Sequence, residues 1–325
     1  MIQLKETSGH QDILKRFRCF IQEQKLAHAY LFVGPQDIGK SETALGVAKL
    51  VNCEQSTSNG YCDVCPSCVK INRGNHPDVH VISSEDALKI KIDQVRQLLK
   101  EIQLKPFEAK RKVFIIKSID QLTLEGANAL LKTLEEPSDR SLLLSTTTFP
   151  DKVLSTIKSR CQVINFFPLS CRQLKDQLRN DYQLSEASSH FLATFAQGCS
   201  KRALILYDQK FLEKKNTMID HFIFAPLSET FARDFLAGQE KEDIQETLNV
   251  LLSWFRDILL LKLHIHKTQL IHQDRIDDLI RSEKKYSWDQ TERTLHDLVA
   301  TSKLLKENLN VKMALTLLKE RIWQN

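Results

Sequence analysis

The 325-residue chain has no run of 18 apolar residues, and its opening stretch, MIQLKETSGHQ, carries no apolar signal core. Neither a membrane span nor export is indicated, so a cytoplasmic location is expected. Internal repeats and low-complexity tracts are also missing, which excludes repeat arrays. Charge of one sign is in short supply: 46 basic residues face 41 acidic ones, for a net +5. That balance suits weak attraction to nucleic acid and excludes a nucleic-acid-coating protein. Glycine is scarce, and only Gly198 and Gly238 lie beyond Pro168. Trp254, Trp288, Trp323, His264 and His266 show no spacing that implies a cofactor or metal, so they read as packing or surface. The length is too great for one ordinary core and implies two or three domains.

The strongest local signal is LFVGPQDIGKS, Leu31 to Ser41. An apolar strand runs into a loop holding Gly34, Gly39, Lys40 and Ser41, and an alanine-rich helical pattern follows. This is the context of a phosphate-binding P-loop. Its glycines let backbone N–H groups curl around phosphates, its lysine reaches the terminal phosphates and its hydroxyl completes the shell of a Mg ion. The alternative of a simple glycine turn lacks a reason for the strand before it and the helix after it.

Cys53, Cys62, Cys65 and Cys68 follow that helix as C-x8-C-x2-C-x2-C. Four soft ligands within sixteen residues suit tetrahedral Zn, and the two tight steps let one turn present three thiolates. Asn59, Gly60 and Pro66 supply the turn residues. Free thiols and a redox C-x-x-C pair are the competing readings. Four thiolates leave no open coordination position, so the metal is expected to be structural. Between Glu54 and Asp78 the only basic residues are Lys70 and Arg73, which argues against a DNA-reading ribbon. Cys19, Cys161, Cys171 and Cys199 are scattered and read as free thiols, mostly packed.

Around these motifs, residues 11–24 form an amphipathic helix, and strands are expected at Tyr30–Val33, Val79–Ile82, Val113–Ile116, Ser141–Thr146 and Val163–Phe167. Helices are expected over Ile92–Ile102 and about Leu124–Leu134, the second capped by Thr123 and closed by Pro137. The alternation predicts a doubly wound parallel α/β sheet, and everything after Pro168 reads as helical. Two apolar stripes there, Leu251, Leu252, Phe255, Leu259, Leu260 and Leu298, Leu304, Leu305, Leu315, Leu318, read as core.

GHQDIL, LAHAYLFVGPQDIGKS, the four-cysteine insert, NALLKTLEEP and IKSRC together resemble the bacterial DNA polymerase III clamp-loader subunits, members of the AAA+ class. The match covers roughly the first two thirds; NVKMALTLL resembles the family's final collar helix. The resemblance implies an AAA+ P-loop domain over 1–168 with a zinc ribbon inserted at about 53–77. A helical lid over 169–210 and a helical collar over 211–325 complete the implied plan.

Motor subunits of that family carry an Asp-Glu pair at the end of the strand before the ALLKTLEEP helix. Here Lys117 and Ser118 stand in that place. A lysine cannot ligate Mg, and a serine is a poor carboxylate base. Asp120 lies nearby but three residues past the strand tip. The resemblance therefore implies a largely non-hydrolysing stator without independent ATPase activity, a subunit of a DNA-directed DNA polymerase holoenzyme. Arg160 in the SRC motif is implied to reach, in trans, the ATP of a neighbouring motor subunit. Thr147 and Arg202 are implied to be nucleotide sensors, with Lys201 competing for the second role. Implied cofactors are structural Zn and, at a degenerate site, ATP or ADP. Implied partners are the γ/τ motor and δ subunits and the sliding clamp; DNA contact would be to backbone phosphates, and no membrane is involved. Rival readings are an ATP-hydrolysing motor and a zinc-dependent nucleic-acid-binding protein.

Overall fold

The computed structural model describes residues 11–55, 60–84, 89–226, 241–304 and 311–324. Gly9, His10, Asn59, Leu305 and Asn310, named above within motifs and stripes, lie outside these residues, as does the side chain of Leu304. The chain divides into two compact units, 1–169 with 199–202, and 170–198 with 203–325.

The first unit alternates helix and strand: α1 (Gln11–Gln22), β1 (Ala29–Val33), α2 (Lys40–Asn52), α3 (Pro66–Asn72), β2 (Val79–Ile82), α4 (Ile92–Gln103), β3 (Lys112–Ile116), α5 (Leu124–Glu135), β4 (Ser141–Thr147), α6 (Ser155–Lys158) and β5 (Gln162–Asn165). The five strands make one parallel sheet in the order β2-β3-β4-β1-β5. Apolar runs such as KVFII are buried throughout because helices cover both faces.

Strand alternation sorts the core into two layers. Tyr30 and Phe32, Val113 and Ile115, and Leu142 and Leu144 face α1 and α2, where Ala44, Val47 and Ala48 pack. Leu31, Phe114, Ile116 and Leu143 face α4 and α5, against Leu98, Ile102 and Leu130. Phe17 anchors α1 with its ring 4.7 Å from Tyr30 and 5.9 Å from Phe32. Thr123 caps α5 as expected, its hydroxyl accepting the Gly126 N–H at 3.2 Å.

The second unit contains helices and no strand among the described residues: α7 (Cys171–Tyr182), α8 (Glu186–Phe195), α9 (Ser200–Asp208, begun in the first unit), α10 (Phe211–Ile219), α11 (Lys241–Lys262), α12 (Ile276–Lys285), α13 (Trp288–Leu304) and α14 (Val311–Gln324). The buried face of α11 centres on Leu251, Trp254, Phe255 and Ile258. The stripe read from sequence is therefore rotated: Leu252, Leu259 and Leu260 are only half-buried. Of the scattered cysteines, Cys161 and Cys199 are packed, whereas Cys19 and Cys171 are exposed, a correction to the expectation that most are packed.

The approach to β3 depends on a buried carboxylate. Asp78 accepts the backbone N–H groups of Phe107, Glu108 and Ala109 at 2.8–3.0 Å and is fully buried. Burial opposes its charge, but these three donors and Lys112 outweigh it and hold its pKa below the ordinary value. A depressed carboxylate contributes stability above its unfolded value near 3.8, lost as pH falls through the folded value. Asp78→Asn is expected to destabilise the first unit by about 2 kcal/mol at pH 7, the scale of hydrogen bonds to a charged group. In urea denaturation the gap between variant and parent should narrow below the carboxylate range.

Candidate functional site

The nucleotide-site candidates read from the sequence gather where β1, β3 and β4 end. β1 lies between β4 and β5, so Val33 pairs with Thr147 on one side and Asn165 on the other. The loop after β1 starts in a tight place: a Cβ at Gly34 would stand 2.7 Å from the Phe166 carbonyl oxygen and 2.8 Å from its Cβ. Only glycine fits there. Gly39, with φ of 106°, turns the chain into α2 through the left-handed region, and Lys40 is the first residue of that helix.

Lys40 is buried and its ammonium is held by the chain itself. Nζ donates to the carbonyls of Gly34 at 2.7 Å and Pro35 at 2.6 Å, and to the Thr148 hydroxyl at 3.5 Å. Burial lowers its pKa, while Asp37, Cys199, Asp120 and Glu42 pull the other way. Ser41, the hydroxyl expected to serve a Mg ion, follows it in the first turn of α2 and is half-buried.

At the tip of β3, Lys117 donates its backbone N–H to the Ile82 carbonyl, which leaves the side chain beyond the last strand residue. Ser118 has φ of 55° and donates its N–H to the Thr146 hydroxyl at 3.1 Å. That left-handed turn brings Asp120 back over the sheet. The Thr147 hydroxyl donates to Asp120 Oδ1 at 2.5 Å and accepts the Phe149 N–H at 3.0 Å. One donor and one acceptor site of the hydroxyl are thus engaged within the fold. Asp120 is the residue that sequence reading undervalued: three positions past the strand it looked remote, and only the αL turn at Ser118 returns it.

Lys201 and Arg202 belong to the first unit. Lys201 Nζ donates to Glu42 Oε1 on α2 at 2.5 Å, and Arg202 acts electrostatically on Cys199, which also feels Asp37 and Lys40. Both basic residues thus stand near the start of α2.

Arg160 lies apart, just past α6. Its Nη1 donates to the Thr156 carbonyl at 3.0 Å and the Ser159 hydroxyl at 3.3 Å, and Nη2 donates to Glu135 Oε1 at 2.7 Å.

The cysteines converge. The sulfurs of Cys53, Cys62, Cys65 and Cys68 all lie within 4.8 Å of one another. Zn–S bonds of about 2.3 Å at a tetrahedral centre imply sulfurs about 3.8 Å apart, so the four fit such an ion. Cys65 is the N-cap of α3, and the N–H groups of Cys65 and Cys68 point at the sulfurs of Cys62 and Cys65 at 3.3 and 3.5 Å. Burial raises the pKa of Cys53 and Cys68; at Cys65 the N–H groups of Cys68 and Glu54 outweigh burial and lower it. The described part of the insert is a turn and helix rather than a strand pair.

Sequence comparison agrees with this geometry. Family descriptions of the DNA polymerase III delta subunit match residues 9–170, and of its C-terminal part residues 209–320. DNA polymerase III subunit delta′ of Bacillus subtilis is 30% identical over 310 residues, 92% of each chain. The chain belongs to the delta′ family. Within the broader clamp-loader group, delta′ of Pseudomonas aeruginosa is 40% identical over 136 residues, 42% of each chain. Subunit tau of Bacillus subtilis is 29% identical over 304 residues, 86% of this chain and 54% of that protein. The solved DNA polymerase III gamma subunit-related protein of Thermotoga maritima shares the fold, with a TM-score of 0.56 at 16% identity over 96% of this chain and 98% of that one. No helix among the described residues is long and apolar enough to cross a membrane.

Four closely set thiolates would hold one Zn ion and leave no position for substrate. Reduced protein is expected to carry one equivalent of zinc by elemental analysis, and Cys65→Ser to lose most of it. Chelation should raise amide exchange across 60–77 while leaving β1 and β4 protected. Metal-free reduced protein with the insert still protected would rule the centre out.

Proposed function

We propose that this chain is the largely non-hydrolysing stator of a clamp loader, a δ′-type subunit that presents Arg160 to ATP held by a neighbouring motor subunit. The reading rests on one juxtaposition: an intact P-loop beside a β3 tip that offers Lys117 and Ser118 in place of two carboxylates. Hydrolysis at a P-loop needs a carboxylate to fix Mg and a residue to orient water. Lys117 would instead add positive charge where the ion belongs.

In this reading the division of the chain is an AAA+ domain over 1–168, a lid over 169–210 and a collar over 211–325. Gly34, Gly39, Lys40, Ser41, Thr147 and Arg202 line a degenerate site for ATP or ADP. A phosphate entering it must displace the Gly34 and Pro35 carbonyls from Lys40, and the engaged Thr147 hydroxyl offers it little in return. Binding is then weak and nearly indifferent to Mg. The catalytic contribution is made on another chain: the Arg160 guanidinium offsets charge that spreads over the γ-phosphate oxygens as the bond to the leaving group breaks. Motor γ/τ and δ subunits, the sliding clamp and the phosphates of primed DNA are the partners, in the cytoplasm.

Reconstitution of the loader with Arg160→Ala is the decisive test. Arginine fingers are worth on the order of 1,000-fold or more, so the turnover contributed by the site Arg160 serves should vanish. Unchanged ATP turnover would refute the finger. In the isolated chain, steady turnover abolished by Lys40→Ala would establish a motor instead.

A further inference from the structure

We propose that Glu135 is the positioning residue for Arg160, holding its guanidinium ready for a phosphate on the adjoining subunit. The proposal rests on the finger reading above and adds a second residue to it.

Arginine has several rotatable bonds, and a finger that must be ordered at each encounter loses rate to that ordering. Here the ordering is already done within one chain. Nη2 donates to Glu135 Oε1 at 2.7 Å, and Nη1 to the Thr156 carbonyl at 3.0 Å and the Ser159 hydroxyl at 3.3 Å. These three bonds use three of the five N–H donors of a guanidinium, so two are left for an incoming anion. The Arg160 side chain retains 34% of its exposure and that of Glu135 50%, so the pair is reachable from solvent.

The position of Glu135 is hard to account for by helix stability. It is the last residue of α5, where the helix dipole is negative and an acidic side chain is unfavourable, and Glu136 follows at the C-cap. Arg160 neutralises that charge from the neighbouring α6 turn. The same attraction fixes the arginine. Because the pair is half-exposed it is weak, so a stronger partner such as a triphosphate can share the guanidinium without a large penalty.

The test uses the complete loader with Glu135→Ala and Glu135→Gln in this subunit. Glu135→Ala should lower kcat at the site served by Arg160 about two- to five-fold with KM for ATP unchanged, the range for losing an exposed ion pair. Glu135→Gln, whose amide oxygen can still accept, should fall between. The double variant Glu135→Ala/Arg160→Ala should match Arg160→Ala alone, since the glutamate acts through the arginine. An additive double variant would show that Glu135 acts elsewhere, and an inert Glu135→Ala beside a damaging Arg160→Ala would sink the positioning role while sparing the finger. An inert Arg160→Ala would sink both. In the isolated protein, NMR of the Arg160 Nε–H should show motion released by Glu135→Ala, a readout independent of any ATPase.

Discussion

The interior position of β1, gripped between β4 and β5, is the constraint on which the rest of the first unit depends. Parallel pairing on both sides carries Val33 level with Thr147 and Asn165, and the hydrogen bonds continue one step further, with Gly34 N–H on the Thr147 carbonyl and Phe166 N–H on the Val33 carbonyl. Glycine is required at 34 because Phe166 closes over it. That pairing places the start of the loop that ends at Lys40 and the hydroxyl of Thr147, and β4, through Thr146 on Ser118, places the turn that returns Asp120. In an open parallel sheet the strand ends are where ligands bind, since backbone groups and helix N-termini there point outward.

What occupies that edge differs from what a hydrolytic site would need. Metal-assisted phosphoryl transfer requires negative groups around the ion and hydroxyls or amides aimed at the phosphates. Here a lysine follows β3, the Asp120 carboxylate is spent on Thr147 and that of Glu42 on Lys201, and Lys40 is folded onto its own loop's carbonyls. Each of these contacts satisfies a group that would otherwise be buried without a partner. The edge is therefore stable as a piece of protein, and stability of that kind opposes reorganisation around a nucleotide. A subunit whose role is to hold shape gains from such contacts; a motor loses by them.

Much of this was legible in the sequence, and the parts that were not have definite causes. Strand positions could be read because a sheet covered on both faces demands runs such as VFII and SLLLST, and the helix ends because Thr123 and Pro137 are strong punctuation. The cysteine cluster was legible because ligand spacing is a local property. Asp120 was not, because its approach depends on a positive φ at Ser118, a conformation that serine seldom adopts and no pattern announces. The Glu135–Arg160 pair spans 25 residues and two helices, beyond the reach of periodicity. On α11 the apolar stripe was read one step off, since Trp254 and Ile258 and not Leu252 and Leu259 define the inner face. With leucines all round that helix, composition alone could not choose.

The four-cysteine insert bears on the sheet through contacts that sequence does not suggest. Asn52, at the end of α2, exchanges two hydrogen bonds with Arg111, donating to its carbonyl and accepting its N–H, immediately before β3. Lys110 donates to the Cys53 carbonyl at 2.7 Å, and Lys70 on α3 pairs with Glu108 in the loop that Asp78 gathers. Cys53, the first of the four clustered cysteines, and the entry to β3 are thus held by the same few side chains. A structural ion that fixed Cys53 would fix the carbonyl to which Lys110 is tied, and so stiffen the approach to the strand that ends at Ile116. The opposite end of β3 is secured separately, by Ser118 on Thr146 and by the parallel ladder with β4. Losing such an ion would loosen the entry of the strand while the ladder retains its tip. The insert fits a brace for the base of the sheet, at a distance from the edge where phosphate chemistry would occur.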